Sequence, residues 1–340
     1  MRLPTWFLYA RTFNRSFGFV ILCIVTFTTG CVNRSGDPQP VPENVRRAVS
    51  ILGDDTSVSG GIRVSTIYRS FLSRIEKEIA SDGSAIGRQN RIILNRIGLD
   101  PSVDEISVFF AFKKSGPQSI PGLLLFAPVP ENSLDSLAAN WDHFQLLDST
   151  SAIRRQIARE LPIYELSSEE ESLYLALPEE QTLSLSSSAE YLNQMLDRAF
   201  LETPDLRVDQ IRLIDLVGAA DVWLVTKNIP GLLEALSVDQ IPDEIGRIVM
   251  AIANMAGAAE LRNESLKISL YFEPRTRVQA QDLSDLIRGA IALVKLNLED
   301  SAQLVEILEQ IDVSEYDEFS RVQLKMSETD LINLIQSVPR

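Results

Sequence analysis

Cysteine is nearly absent from this chain: its two copies, Cys23 and Cys31, both lie near the N-terminus. The remaining three hundred or so residues therefore have no access to disulfides or thiolate chemistry. Histidine occurs once, as His143, which excludes metal sites with two or more His ligands and leaves one imidazole for acid or base work. Glycine-rich phosphate cradles are missing as well. Gly60-Gly61 lacks the strand–Gly-x-Gly-x-x-Gly–helix context and the Gly-Lys-Ser/Thr ending, so nucleotide binding has no basis and no cofactor is expected. Basic residues are scarce, 32 against 47 acids, for a formal charge of −15. Nucleic acid needs phosphates neutralised by Lys and Arg, and anionic lipid attracts only basic surfaces, so both are excluded as charge-driven partners. What the chain does have is 45% hydrophobic and 23% charged residues over 340 positions, enough to bury one large core or two smaller ones.

The first sixteen residues carry Arg2, Arg11 and Arg15 and no acid, and the apolar run Phe17–Phe27 follows. A positive region ahead of a short apolar stretch is the order read by export machinery. That run of about eleven residues falls short of the roughly twenty a spanning helix needs. It ends in Thr28-Thr29-Gly30-Cys31, which resembles the bacterial lipoprotein box, small residues before the cysteine that receives lipid. Thr28 stands where that family usually has Leu. The resemblance implies a signal peptide over 1–30, lipidation (palmitate) at Cys31, and attachment to an envelope membrane through that lipid. A leader cut without lipidation and an uncleaved anchor are the alternatives. Loss of the leader removes three arginines and no acid, taking the formal charge from −15 to −18. Val32 is not an acidic retention signal, which by the same resemblance favours the outer membrane in a Gram-negative cell. Residues 31–59 are expected to form the lipidated cysteine and a flexible stalk, polar and rich in proline over 32–44.

Apolar spacing predicts helices over 62–79 and 91–97, the second closed by Gly98 and Pro101, then strands over 106–112 and 122–127 joined by a turn at 113–117. Leu134, Leu137, Ala138 and Trp141 share a helical face. Three strands are expected within 160–187, where Leu173, Leu175 and Leu177 alternate with other residues, as do Leu183 and Leu185. Ser187 and Glu190 have capping-box spacing ahead of Leu192, Met195, Leu196 and Phe200. In the second half, strands are expected over 220–226, 266–272 and 319–326. Helices are expected over 230–236, 242–256, 277–296 and 302–311, and a second capping box runs from Ser327 to Asp330. A shift of 139 positions lays Leu183, Leu185, Leu192, Met195 and Leu196 onto Val322, Leu324, Leu331, Leu334 and Ile335. Leu124-Leu125-Phe126-Ala127-Pro128 likewise matches Leu270-Tyr271-Phe272-Glu273-Pro274. The expected fold class is α+β: an internal repeat with halves at 60–204 and 205–340, each an antiparallel sheet covered by helices on one face. With Gly98-Leu99-Asp100-Pro101 and Leu161-Pro162-Ile163-Tyr164, the chain resembles bacterial secreted proteins and lipoproteins built of two tandem ferredoxin-like halves, a resemblance that implies no activity.

No catalytic or metal constellation emerges. His143 beside Asp142 reads as a helix-end or surface residue, because no nucleophile motif accompanies it. The runs Glu169–Glu171 and Glu179-Glu180 sit at predicted turns and lack the alternating oxygens and tight glycine turn of a calcium loop, so they read as solvated charge. The apolar stretches 245–255 and 286–298 are the most distinctive. They read as core helices or as the roof of an apolar-ligand pocket lined by Ile248, Ile252, Met255, Ile287, Ile291 and Val294. The function expected is a non-enzymatic envelope lipoprotein that binds or scaffolds an envelope protein partner. The alternative is a carrier or sensor of a lipid or other apolar ligand.

Overall fold

A computed structural model describes residues 40–69, 99–115, 118–130, 134, 152–158, 161–167, 172–179, 181–201, 208–229, 250–262, 265–275, 280–297, 302–327 and 330. They form a mixed α+β structure dominated by antiparallel sheet, in two compact units that divide between Val208 and Asp209.

The first unit starts earlier than expected. Residues 43–59, read as stalk, form helix α1 (Glu43–Leu52) and the first half of strand β1 (Thr56–Arg63). Val45, Ala48, Val49 and Leu52 fall at helical spacing and are buried, an apolar stripe that repays the ordering of the segment. A single turn, α2 (Val64–Ile67), follows β1, so the helix expected from Ile62 begins only after a strand. The other strands are β2 (Ser107–Ser115), β3 (Gln118–Phe126), β4 (Ala152–Ala158), β5 (Leu161–Ser167), β6 (Ser172–Glu179) and β7 (Thr182–Ser186), before helix α3 (Ala189–Ala199). Their order is β1-β2-β3-β7-β6-β5-β4, antiparallel throughout.

Both faces of this sheet are apolar. Helices α1 and α3 cover the one carrying Phe109, Gly122, Leu124, Ile163 and Ala176. The other carries Leu125, Tyr164, Leu166, Leu175 and Leu183, packed with Leu99, Ile106 and Leu134 from outside the strands. A sheet covered on one face was expected; Leu123, Leu173, Leu177 and Leu185 instead extend a second apolar layer.

Helices α1 and α3 stop each other's ends. The last carbonyls of a helix have no partner within it and carry its negative end. Those of α1 are met by α3: Tyr191 Oη donates to Leu52 O at 2.8 Å and Arg198 Nη1 at 3.2 Å. In return Arg47 of α1 donates to Ala199 O at 3.2 Å, at the end of α3, and pairs with Glu179 of β6. Gly53, at φ +94°, closes α1 where any side chain would meet the Arg198 guanidinium. Tyr191→Phe removes only the hydroxyl donor, so it is expected to cost about 0.5–1.5 kcal/mol in urea unfolding, with the fold otherwise unchanged.

The N-cap of α3 is Ser188, one residue past the expected Ser187. Ser188 keeps an extended backbone after β7 ends at Ser186, and its Oγ accepts from Tyr191 N at 3.3 Å. Glu190 therefore sits in the first turn, where its charge suits the helix dipole. The second capping box does close: Ser327 Oγ accepts from Asp330 N at 3.1 Å, and the Asp330 carboxylate accepts from Ser327 N at 3.3 Å.

The second unit contains α4 (Val208–Val217), β8 (Val222–Lys227), β9 (Ile252–Arg262), β10 (Ser265–Pro274), α5 (Ala280–Asn297), α6 (Ala302–Glu309), β11 (Asp312–Tyr316) and β12 (Phe319–Ser327). Its order is β8-β9-β10-β12-β11. One face is apolar: Leu270, Val313 and Val322 take Ile287 and Ile291 of α5, while Leu324 and Met326 take Ile307 of α6. Arg212 of α4 reaches Glu273 and Glu318 and lies 5.4 Å over the Phe319 ring.

Two strands here escaped the sequence reading, β9 and β11. Residues 252–256, expected to end a helix begun at Pro242, are the start of β9. Small residues at 256–259 let β9 lie between β8 and β10 and complete a ladder on each edge, which outweighs the helical preference of alanine.

The two units share a strand plan. The order β1-β2-β3-β7-β6 in the first corresponds strand for strand to β8-β9-β10-β12-β11 in the second, with the hairpin β4–β5 added at the edge of the first. The shift of 139 thus joins equivalent strands, β7 and β12. The match of Leu124 to Leu270 joins equivalent strands too, β3 and β10, but is one residue out of register. Leu125 stands opposite Leu183, and Leu270 opposite Val322, so Leu125 is the counterpart of Leu270 in the shared strand plan. A one-residue slip puts every side chain on the wrong face, which apolar content alone does not reveal where both faces are apolar. Ferredoxin-like halves would need β-α-β crossovers that interleave the strands. Here chain neighbours are sheet neighbours through β1-β2-β3 and again through β8-β9-β10, so that finer expectation does not describe the strand order.

Candidate functional site

The outward side of α5 is the candidate. An 18-residue helix at 3.6 residues per turn needs only one apolar stripe to pack on a sheet, and Ala280, Leu283, Ile287 and Ile291 supply it. Beyond Asp285 the opposite side is apolar as well. Leu286, Leu293 and Leu296 are 46%, 53% and 67% exposed, and between them Gly289 faces open space. Their spacing, i, i+3, i+7 and i+10, makes a continuous outward row. Val294, seven residues after Ile287 and three after Ile291, continues the sheet-facing stripe and is 42% exposed. The charges of this stretch stay at the margins: Arg288 donates to Asp285 at 2.5 Å and to Val313 O at 2.7 Å, and Lys295 is half-buried. A helix apolar all round is ordinarily buried all round. Fully covering a leucine contributes about 1.5–3 kcal/mol, so a partner lying along this row gains several kcal/mol from apolar contact alone.

The six residues expected to line an apolar pocket scatter. Ile287 and Ile291 pack onto the sheet, Val294 continues their side of α5 but is 42% exposed, and Ile252 and Met255 are buried within β9, opposite Pro274 and Phe272. Ile248 lies outside the described residues, as do Cys31, His143 and Glu169–Glu171. Glu179 is ion-paired with Arg47 and remains partly exposed. Gly60 and Gly61 are mid-strand in β1, opposite Phe110 and Phe109, a buried setting for small residues rather than a phosphate loop. The outward row on α5 was within the apolar stretch singled out in the sequence. Periodicity alone did not say which of its two apolar sides the sheet would take.

Among the described residues no three His, Cys, Asp or Glu side chains come together as a metal site, and no helix is long and apolar enough to cross a membrane. Perturbed ionisation is structural where it occurs. Glu105 is held below its ordinary pKa of 4.5 by a hydrogen bond from Arg69 and another from Ser65, and Arg69 also donates to Ser102 O and Val103 O, tying down the approach to β2. Burial raises the phenols of Tyr191 and Tyr271. Because the folded pKa of Glu105 is depressed, its contribution is fully present above the unfolded value and fades as pH falls through the folded one. In an NMR titration Glu105 is expected to titrate below 4.5, and Arg69→Ala to bring it back toward 4.5; an unmoved midpoint would refute the coupling.

No protein-family model matches the chain, and no curated protein matches it. Among solved structures it is similar to crystal form III of TP0453, at 15% identity over 90% of this chain and 100% of that one, with a TM-score of 0.46. For crystal form IV of TP0453 the identity is 13% over 88% of this chain and 98% of that one, with a TM-score of 0.45.

Proposed function

We propose that the chain is a lipid-anchored, non-enzymatic binding protein of a bacterial envelope, tethered through Cys31 and using the outward row of α5 to hold a protein partner. The observation that carries the reading is the exposure of Leu286, Leu293 and Leu296 on a helix whose other side is already satisfied by the sheet. The leader and its terminal Cys31 support the tether, and the acidic body disfavours nucleic acid. The shared strand plan supports descent of the two units from one duplicated segment.

The test is a triple substitution, Leu286→Ser, Leu293→Ser and Leu296→Ser, in protein crosslinked within its own envelope and captured by affinity tag. Because the row faces outward, thermal stability is expected to change little, while the recovered partner falls by about tenfold or more. Equal recovery from parent and variant would refute the α5 assignment. Labelled palmitate should enter the parent and not Cys31→Ser; incorporation into neither would remove the tether from the proposal. Native mass spectrometry of the extracted protein addresses the carrier reading, in which bound lipid replaces the protein partner and is lost in the same triple variant.

A further inference from the structure

We infer that the outward row of α5 pairs with the α5 of a second copy of this chain, antiparallel about a two-fold axis level with residue 291. The inference rests on the reading of that row as a protein-binding surface and names its occupant. Leu286, Gly289, Leu293 and Leu296 follow one another at intervals of three, four and three residues, the spacing of a seam between two packed helices. Reversal about residue 291 brings Leu286 level with the copy's Leu296 and Leu293 level with the copy's Gly289. The second of these pairs selects the occupant. Gly289 faces open space and has no side chain, so the row carries a notch between two leucines. The reversed copy brings a leucine to that notch, once on each side of the axis. A parallel pair instead sets glycine against glycine, and the void left at the seam forfeits the contacts of the atoms around it. The row thus complements its own reverse, as an isologous two-fold interface requires, and such a contact closes at two copies.

Charge and area set the character of the pair. None of the four residues in the row is charged, and those beside it near the axis, Ala290 and Ala292, are small. Asp285 and Arg288 pair within one chain, so the flank that reversal sets beside the copy's Lys295 is neutral. From Leu286 to Leu296 the seam is about 15 Å long at 1.5 Å per residue. A contact of that length buries well under the roughly 1,200 Å² of a stable dimer, which makes the pair reversible and dependent on concentration. With an apolar seam and a net charge of −15 on each copy, the only long-range electrostatic force is repulsion, and salt relieves it.

The test is sedimentation equilibrium of the full chain carrying Cys23→Ser and Cys31→Ser, which removes its two thiols. A monomer–dimer equilibrium is expected that tightens as sodium chloride rises, and Leu286→Ser with Leu293→Ser and Leu296→Ser should weaken it at least about tenfold. Orientation is read by oxidation. Leu286→Cys mixed with Leu296→Cys should form a disulfide-linked pair, whereas Leu286→Cys alone should not, because its two copies would lie ten residues apart in level, about 15 Å. Linkage of Leu286→Cys to itself would show a parallel pair and overturn the two-fold arrangement. Should a cysteine variant fail to fold, the parent and the triple serine variant still decide. A parent monomeric at every concentration and salt, with envelope partner still lost in the triple variant, would overturn self-pairing and leave α5 the surface for a different protein. A dimer equally tight in parent and triple variant would overturn α5 as the seam.

Discussion

Gly122→Ala is expected to lower the free energy of unfolding by about 1–3 kcal/mol, and Gly122→Val by more, measured by urea denaturation. A Cβ at this position would lie 2.6 Å from Tyr191 Cε1 and 3.1 Å from Met195 Sδ, both on α3. Overlap of that size is tolerated only if the neighbour retreats, and Tyr191 has nowhere to go. The ring is 1% exposed, its hydroxyl is spent on Leu52 O at the end of α1, and Lys113 Nζ sits 5.7 Å from its centroid while bonded to Asp55 and Gln194. The missing side chain in β3 is thus the recess that lets α3 approach the sheet, and α3 in turn supplies the stop for α1. Combining Gly122→Ala with Tyr191→Leu should be less destabilising than the sum of the two, because one removes the atoms that the other collides with. A loss under about 0.5 kcal/mol for the alanine variant, within the range of ordinary surface substitutions, would contradict this packing.

How far the sequence discloses this architecture depends on which physical signal each segment carries. The strands β2, β3, β6, β7, β10 and β12 announce themselves by β-branched and leucine-rich alternation bounded by proline, serine or charged turns. The long helix α5 does so by its period. The shared strand plan was visible because β7 and β12 each run into a serine-led capping pattern, although the slip between Leu124 and Leu125 shows that a match of apolar content does not fix register. Helix α1 carried a legible stripe, Val45, Ala48, Val49 and Leu52, hidden by three prolines just before it that suggested a stalk. The choice between core and pocket lining for Ile287 and Ile291 was open in the sequence for a different reason: on a helix apolar on both sides, only the partner sheet determines which side is core.

The misreading of 252–255 as helix leads to the second large effect. If Ile252 and Met255 belonged to a helix roofing a pocket, a polar residue at 255 would weaken a ligand and leave the fold standing. In β9 the side chain of Met255 is 4% exposed, between Thr226 of β8 and Phe272 of β10, on the face that packs beneath α5. Met255→Ala should therefore cost about 2–5 kcal/mol through the cavity it leaves. Met255→Glu places a carboxylate in a buried position opposite Phe272, and should leave the second unit unfolded at neutral pH, seen as lost near-ultraviolet dichroism and rapid proteolysis. The neighbouring Asn254 points to the opposite face, half-buried, where its Nδ2 donates to Glu273 and its Oδ1 accepts from Asn228 N. Asn254→Ala should cost only about 1 kcal/mol by comparison. Such an alternation of severe and mild effects at consecutive positions is the signature of a strand with period two. Comparable tolerance at 252 and 255, three apart, with damage at 254, would instead restore the helix and remove β9 from the centre of the second unit.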